Sequence, residues 1–171
     1  MRWPVHAVQF TCASPLGPLR LCATAKGLAG LWFQDQRHLP PETTIQQWPT
    51  HVDDPVCLEA QRQLNAYFSG RLQRFDVPID LSSGTAFQRE VWQGLLSIPA
   101  GMTQTYGALA QAVGRSAAVR AVGAAVGRNP VSIIVPCHRV LGANGSLTGY
   151  AGGLARKTRL LHLEGIDPES T

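Results

Sequence analysis

Acidic residues are missing from a long part of this 171-residue sequence. No Asp or Glu occurs between Val91 and Leu163, although seven Lys and Arg residues do. These basic residues are Arg115, Arg120, Arg128, Arg139, Arg156, Lys157 and Arg159. Residues 1–84 carry seven basic and seven acidic side chains, so the net charge of +4 arises in residues 85–171. A segment of one sign is typical of proteins with an anionic partner, most commonly nucleic acid, and ordinary solvated surface is the alternative.

Three further absences narrow the class of protein. The sequence begins without the apolar run of a secretory signal peptide. It contains no apolar segment of about 18 residues, the length that indicates a membrane span. The four cysteines are scattered and form no Cys-x-x-Cys pair: Cys12, Cys22, Cys57 and Cys137. This spacing argues against a disulfide framework and favours a reducing compartment, so we expect a cytoplasmic protein with no membrane association.

Residues 1–84 have the pattern of a small sheet followed by a helix. Apolar runs separated by turns predict a three-stranded antiparallel meander with strands at Val5–Cys12, Leu19–Thr24 and Leu28–Phe33. An irregular connection over residues 34–53 leads to a predicted helix at Pro55–Phe68. The segment Leu81-Ser82-Ser83-Gly84 is the expected boundary between an α/β domain at residues 1–84 and a second domain at residues 85–171.

Residues 85–171 are predicted to be mostly helical, which makes the fold class α+β. Thr85, Thr105 and Ser116 each fit the N-cap position of a helix. The predicted helices cover Ala86–Ser97, Tyr106 to Val113, Ala117–Gly127 and Leu154–Glu164. Asn144-Gly145 predicts the turn of a hairpin over residues 140–148.

The two short helices joined by Gly114-Arg115-Ser116 predict a helix-turn-helix. The side of the second helix expected to face the core carries Val119, Val122 and Val126. Its outer side carries Ala117, Ala121 and Ala124, with Arg120 as the long side chain among them. A smooth face allows a helix to approach DNA closely, and one arginine can then reach into the groove or the base stack. The alternative is that alanine is simply a good helix former in a tightly packed helix.

The stretch from Ile133 to Val140 carries the strongest chemical signal. Ile133-Ile134-Val135 predicts a short buried strand, and Pro136 should end or kink it because proline cannot donate to a sheet. Cys137 would then lie at a strand end. Because adjacent side chains of a strand point to opposite faces, Cys137 and His138 could interact only if the backbone turns or a water bridges them.

Pro-Cys-His-Arg favours a reactive cysteine over a structural one. A buried structural cysteine is the common alternative, but it needs neither an imidazole nor a guanidinium beside it. Those two groups can lower the pKa of a thiol and so generate a thiolate. Glu164 ends the last predicted helix, where the helix dipole mildly disfavours a carboxylate. We therefore predict that Glu164 is paired with His138.

Several motifs together have a recognisable order: Ile-Val-Pro-Cys-His-Arg-Val, Arg-Ala-Val-Gly, Arg-Asn-Pro, Gly-Tyr-Ala-Gly-Gly and Leu-Glu-Gly. Over Phe87 to Gly165 the chain resembles the O6-alkylguanine-DNA alkyltransferases, also called methylated-DNA–protein-cysteine S-methyltransferases. The resemblance implies a first domain of ribonuclease-H-like topology and a second domain holding the helix-turn-helix and the reactive cysteine. Some members bind zinc in the first domain, but the spacing of His6, Cys12 and Cys22 does not match, so no metal and no other cofactor is expected.

The resemblance also implies roles for individual residues. Cys137 would accept the alkyl group, His138 would act as a base through a water, and Glu164 would orient His138. Asn129 would brace the active-site turn, and Tyr106 would help to rotate the target phosphate and donate to guanine N3. The expected DNA contacts are Arg120, which would fill the gap left by an extruded nucleotide, with Ala117, Ala121, Ser116, Arg128 and Tyr106. The expected pocket residues are Pro136, Val140, Tyr150, Ala151 and Gly152. Some members carry serine where this chain has Ala151, which leaves only its N–H to contact O6.

The function implied is repair of double-stranded DNA. The protein would flip out an O6-alkylguanine, or an O4-alkylthymine, and transfer its methyl or larger alkyl group irreversibly to its own cysteine, once per molecule. A monomer is expected, with cooperative binding along DNA as an open alternative. Two rivals stay open at this point: a module that grips DNA without transfer, and a cysteine hydrolase. Cys137 argues against the alkyltransferase-like binding proteins, which lack the acceptor, and a hydrolase would not need the acid-free half.

Overall fold

A computed structural model describes residues 2–167, and its first part is a three-stranded antiparallel sheet. The strands are β1 (Val8–Cys12), β2 (Leu19–Thr24) and β3 (Gly27–Phe33), in the order β1-β2-β3. The register pairs Phe10 with Leu21 and Leu21 with Leu31. The predicted meander is therefore confirmed, with β1 three residues shorter at its start. Every residue of β3 is buried, so both faces of this edge strand are covered.

Two helices accompany the sheet. The connection predicted to be irregular contains a short helix, α1 (Glu42–Ile45). Helix α2 (Pro55–Phe68) has the predicted bounds, because Asp54 caps it by accepting from the Cys57 N–H and Pro55 suits the first helical turn. Gly70 follows with a φ of 73°, a left-handed conformation that ends the helix.

Four longer helices build the remainder: α3 (Ala86–Leu96), α4 (Tyr106–Ala112), α5 (Val119–Gly127) and α6 (Leu154–Leu163). Thr85 caps α3 in a capping box with Gln88, and Thr105 caps α4. The predicted cap at Ser116 is wrong. Ser116–Ala118 is a separate 3-10 turn, and α5 starts after it without a side-chain cap.

The predicted strand at residues 133–135 is also wrong. The segment is a chain of turns, and Ile133 has a φ of 72°. Asn129 explains this, because its side chain accepts from the Val131 N–H at 2.9 Å and donates to the Val135 carbonyl at 2.7 Å. The Asn129 side chain thus pairs with backbone groups that would otherwise need a neighbouring strand as their partner. The apolar side chains are nevertheless buried, as the pattern indicated.

The predicted hairpin over residues 140–148 is replaced by a parallel pair. Strand β5 (Val140–Leu141) pairs with β4 (Gln104–Thr105) just before α4. The expected turn does form, since the Gly142 N–H donates to the Ser146 carbonyl at 2.9 Å. No strand follows that turn in the part of the chain that the structure describes.

One hydrophobic core passes through both parts of the chain, from Phe10 in β1 to Leu160 in α6. Strand β3 also contacts the segment that leads to Cys137. The Leu31 N–H donates to the Pro130 carbonyl, and the Ser132 N–H donates to the Leu31 carbonyl, both at 2.9 Å. The sheet therefore fixes the start of the turn that carries Cys137, and the division into domains after residue 84 stays a prediction. Within residues 2–167, no helix combines the length and the apolar character needed to cross a membrane.

Candidate active site

Cys137 opens a 3-10 turn, Cys137–Arg139, in which it is 5% exposed. Asn129 Nδ2 donates to Cys137 Sγ at 3.1 Å while also donating to the Val135 carbonyl. The same amide therefore holds both the thiol and the backbone that precedes it. Because Cys137 and His138 lie on a turn and not on a strand, their side chains are not directed to opposite faces.

Burial raises the pKa of the Cys137 thiol. The hydrogen bond from Asn129 and the charge of Lys157 both act in the opposite direction, but they do not outweigh burial. Arg139, one of the two groups expected to lower this pKa, is instead turned towards Glu164. A proton acceptor is needed to generate the thiolate.

Glu164, at the C-terminal end of α6, meets three side chains. Its Oε1 lies 2.8 Å from His138 Nε2, so the predicted contact between these residues is present. Arg139 donates from Nε to Oε2 and from Nη2 to Oε1, each at 2.8 Å. Tyr67 donates to Oε1 at 2.7 Å. Burial alone would raise the pKa of Glu164, but the hydrogen bonds from His138 and Arg139 prevail and lower it to about 2.

His138 is fully buried, and burial lowers its pKa although Glu164 acts in the opposite direction. A neutral imidazole next to a carboxylate carries its proton on the nitrogen that faces the carboxylate, here Nε2. Nδ1 is then the basic nitrogen, and it has no hydrogen-bond partner among the described residues. The ring is therefore oriented by Glu164 with Nδ1 left to accept a proton.

Lys157 is a site residue that the sequence reasoning missed. Its side chain is fully buried, and Nζ donates to the Val140 carbonyl at 2.5 Å and to the Thr148 carbonyl at 2.8 Å. Burial lowers its pKa to about 8, with the charge of Cys137 acting in the opposite direction. A signal was present: on α6, Lys157 shares one face with Leu160, Leu161 and Glu164 at helical spacing. Arg139 was likewise counted as surface charge, although it is 6% exposed.

A cleft of about 280 Å³ holds part of the predicted pocket. Tyr106, Tyr150 and Ala151 line it, and Arg37 and His38 contribute from the first half of the chain. The two tyrosines are buried enough to raise the pKa of each, and the charge of Cys137 raises both further. Cys137 itself does not line this cleft. The structure thus brings the predicted nucleophile and the predicted pocket tyrosines together.

Other predicted pocket residues do not line this cleft. Val140 is fully buried, and Pro136 lines a different cavity of about 550 Å³ beside Arg139. Gly152 is buried where an added Cβ would lie 2.7 Å from Cε1 of the Tyr150 ring. Glycine is therefore favoured there by the packed tyrosine ring, which leaves no room for a Cβ.

The helix-turn-helix presents the predicted DNA-facing residues at the surface. Ser116, Ala117, Arg120, Ala121 and Arg128 are all exposed, and Tyr106 is half-buried with its hydroxyl 3.4 Å from the Thr148 and Gly149 carbonyls. Val122 and Val126 face the core as predicted. Val119 was predicted wrongly, since it is 37% exposed.

Fewer basic residues are exposed and unpaired than the sequence suggested. Arg139 and Lys157 are buried, and Arg115 and Arg156 pair with acidic residues outside the acid-free stretch, at 2.7 Å and 2.9 Å. The remaining basic residues, Arg120, Arg128 and Arg159, are exposed and make no ion pair with any residue in 2–167.

Two family models match the chain: the ribonuclease-like domain of 6-O-methylguanine DNA methyltransferase at residues 8–81, and its DNA binding domain at residues 86–166. The chain belongs to this family. A methylated-DNA–protein-cysteine methyltransferase of Mycobacterium tuberculosis is 50% identical over 155 residues, which cover 90% of each chain. One of Methanosarcina acetivorans is 47% identical, covering 89% of this chain and 94% of its own.

Solved structures agree with this membership of the 6-O-methylguanine DNA methyltransferase family. A crystal structure of Mycobacterium tuberculosis OGT in complex with DNA has a TM-score of 0.82 at 48% identity, covering 94% of this chain and 92% of that one. The fold alone is shared with an O6-methylguanine-DNA methyltransferase of Pyrococcus kodakaraensis, at a TM-score of 0.64 and 22% identity. The predicted family and α+β fold class are confirmed, and the roles of the individual site residues stay predictions. Among the described residues, no cluster of three His, Cys, Asp or Glu side chains could hold a metal ion.

Proposed function

We propose that this protein repairs O6-alkylguanine in double-stranded DNA by transferring the alkyl group to Cys137, once per molecule. The observation that carries the proposal is the arrangement around Cys137, whose thiol is held by Asn129 and is followed in the same turn by the Glu164-oriented His138. Relatives with 50% identity are named methylated-DNA–protein-cysteine methyltransferase, which supports the same chemistry.

The transfer requires a thiolate at Cys137. We assign His138 Nδ1 as the acceptor of the thiol proton, through a water, because Nε2 is engaged with Glu164. Sγ then attacks the alkyl carbon, so that the S–C bond forms as the C–O6 bond breaks. Tyr106 donates a proton to guanine N3, which lets guanine leave as a neutral base, and the proton held by His138 then replaces it on the Tyr106 oxygen through water. The thioether product has no easy hydrolysis route, so the protein is consumed by the reaction.

The substrate base must leave the duplex, because its O6 substituent is out of reach of a buried thiol. The proposed DNA-contacting residues are Arg120, Ala117, Ala121, Ser116, Arg128 and Tyr106. The small exposed side chains of α5 suit close approach to the minor groove, and Arg120 would occupy the gap left by the flipped nucleotide. The cleft lined by Tyr106 and Tyr150 is the proposed binding site of the extruded base. Backbone groups of Val140 and Ala151 would read its edge, and O4-alkylthymine is a second proposed substrate.

Four free cysteines support action in the cytoplasm, where thiols stay reduced. We propose that the protein acts there as a monomer on double-stranded DNA.

The test is mass spectrometry after mixing the protein with duplex DNA that contains one O6-methylguanine. The expected result is one methyl group per protein molecule, on the peptide that contains Cys137, with unmodified guanine left in the DNA. Cys137→Ser should bind the DNA but gain no mass. Repeated turnover without a mass gain would identify a hydrolase instead, and binding without any transfer would identify a DNA-binding module.

A further inference from the structure

Glu164 is bound by a residue from the opposite half of the chain. Tyr67, in the last turn of α2, donates from its hydroxyl to Glu164 Oε1 at 2.7 Å, across a separation of 97 residues. Tyr67 is 2% exposed, and the Glu164 side chain is also 2% exposed. The contact is therefore shielded from water, which makes a hydrogen bond to a charged group stronger than it would be at a surface.

The Tyr67 hydroxyl makes one of the four hydrogen bonds that the Glu164 carboxylate accepts. A carboxylate has about four acceptor positions. Tyr67, His138 and Arg139 each donate to Oε1, and Arg139 donates again to Oε2, so Oε1 carries three of the four bonds and Oε2 only one. His138 and Arg139 are neighbours on one turn, in the second half of the chain. Tyr67 adds a donor to the same carboxylate from α2, in the first half of the chain.

We propose that Tyr67 is a positioning residue for alkyl transfer: its hydroxyl fixes the Glu164 carboxylate, and through it the His138 ring, so that the first half of the chain takes part in the chemistry. The proposal rests on the function proposed above. It also gives the ribonuclease-like half a role besides covering the core, because α2 delivers the hydroxyl.

The conservative variant for the test is Tyr67→Phe. It keeps the ring that packs against Phe68 and Phe75, with centroids 5.5 Å and 5.2 Å away, and it removes only the hydroxyl. The matched control is Thr24→Val, which removes another hydroxyl that donates to a carboxylate, Asp80, also at 2.7 Å. That bond lies in the first half of the chain, far in sequence from the site.

Transfer rates are measured with O6-methylguanine duplex and with free O6-benzylguanine, over a range of pH and well below the unfolding temperature of each variant. Tyr67→Phe should slow both reactions by about tenfold, a small part of the roughly 10²–10⁴-fold that a general base contributes. The charged groups that face His138 are Glu164, Arg139 and Lys157. Without Tyr67 the carboxylate keeps more of its charge for His138, which then protonates more readily, so the acid limb of the rate profile should move to higher pH.

Thr24→Val should keep the wild-type rate and profile. The positioning role is overturned if Tyr67→Phe reacts at the wild-type rate with an unchanged profile, or if both variants lose stability equally and neither profile moves. A wild-type protein that takes up no alkyl group overturns the proposed function itself. Transfer by the wild type with an unaffected Tyr67→Phe overturns only the role of Tyr67.

Discussion

Arg139 and Glu164, 25 residues apart in the chain, form a two-pronged ion pair with both bonds at 2.8 Å. The pair is almost fully buried, with side-chain exposures of 7% and 2%. Besides accepting from Tyr67, Glu164 therefore both neutralises Arg139 and orients His138. This dual engagement means that changes at Glu164 act on stability as well as on chemistry.

The lowered pKa of Glu164 makes the free energy of unfolding depend on pH in the acidic range. Its folded value is about 2, against an ordinary value of 4.5, so the folded state binds fewer protons between these values. Its contribution is complete above pH 4.5 and is lost as pH falls towards 2, which corresponds to about 3 kcal/mol. Urea unfolding at a series of pH values should show this decline in the wild type. A free energy of unfolding that stays constant over the same range would contradict the assignment.

Glu164→Gln should lower the free energy of unfolding by about 3 kcal/mol or more, because it leaves a buried guanidinium without a counter-charge. Transfer should also slow, and the rate should recover partly at high pH, where the thiolate forms without help. Urea unfolding and a pH–rate profile measure the two effects. Glu90→Gln is the control, since its pair with Arg115 is 46% exposed on each side and should contribute less than about 1 kcal/mol. A rate profile like that of wild type would leave His138 acting without Glu164.

Arg120→Ala should slow repair of duplex DNA by about tenfold, equivalent to about 1.4 kcal/mol of activation free energy, while leaving the reaction with free O6-benzylguanine unchanged. The reason is that a free base needs no extrusion from a stack. Single-turnover rates on both substrates test this. Arg71→Ala, which removes an exposed arginine from the first half of the chain, controls for the change in net charge. Equal losses on both substrates would make Arg120 a pocket or folding residue.

Lys157→Met should slow transfer to free O6-benzylguanine at neutral pH by about tenfold, because the thiolate fraction falls as the pKa of the thiol rises. The physical reason is the loss of a buried positive charge that lowers the pKa of Cys137. The rate profile should move to higher pH as a result. Arg159→Met removes an exposed charge from the same helix and should leave the profile in place. An unmoved profile for Lys157→Met would limit this lysine to holding the Val140 and Thr148 carbonyls.

Local signals in the sequence were enough for most of the secondary structure. Thr85 and Thr105 cap their helices as predicted, because a cap depends on residues only two or three positions away. Ser116 failed as a cap because a 3-10 turn precedes α5. For the site, two signals were enough to predict the contact between Glu164 and His138. They are the motif around Cys137 and the place of Glu164 at a helix end where the dipole disfavours a carboxylate.

The sequence by itself therefore determined the three-stranded sheet, most helix starts and the family. It also singled out Cys137 as the residue that resembles the alkyl acceptor. These predictions rest on short-range patterns and motifs. Only the tertiary structure decided the turn at Ile133, where an apolar run indicates burial but not backbone shape. It also decided which charges are buried. Arg139 and Lys157 look like surface residues until the packing of α6 brings Glu164 to Arg139 and Lys157 to the Val140 carbonyl. Tyr67 and Glu164 meet across 97 residues, and a contact of that range arises from packing of the two halves rather than from any local pattern.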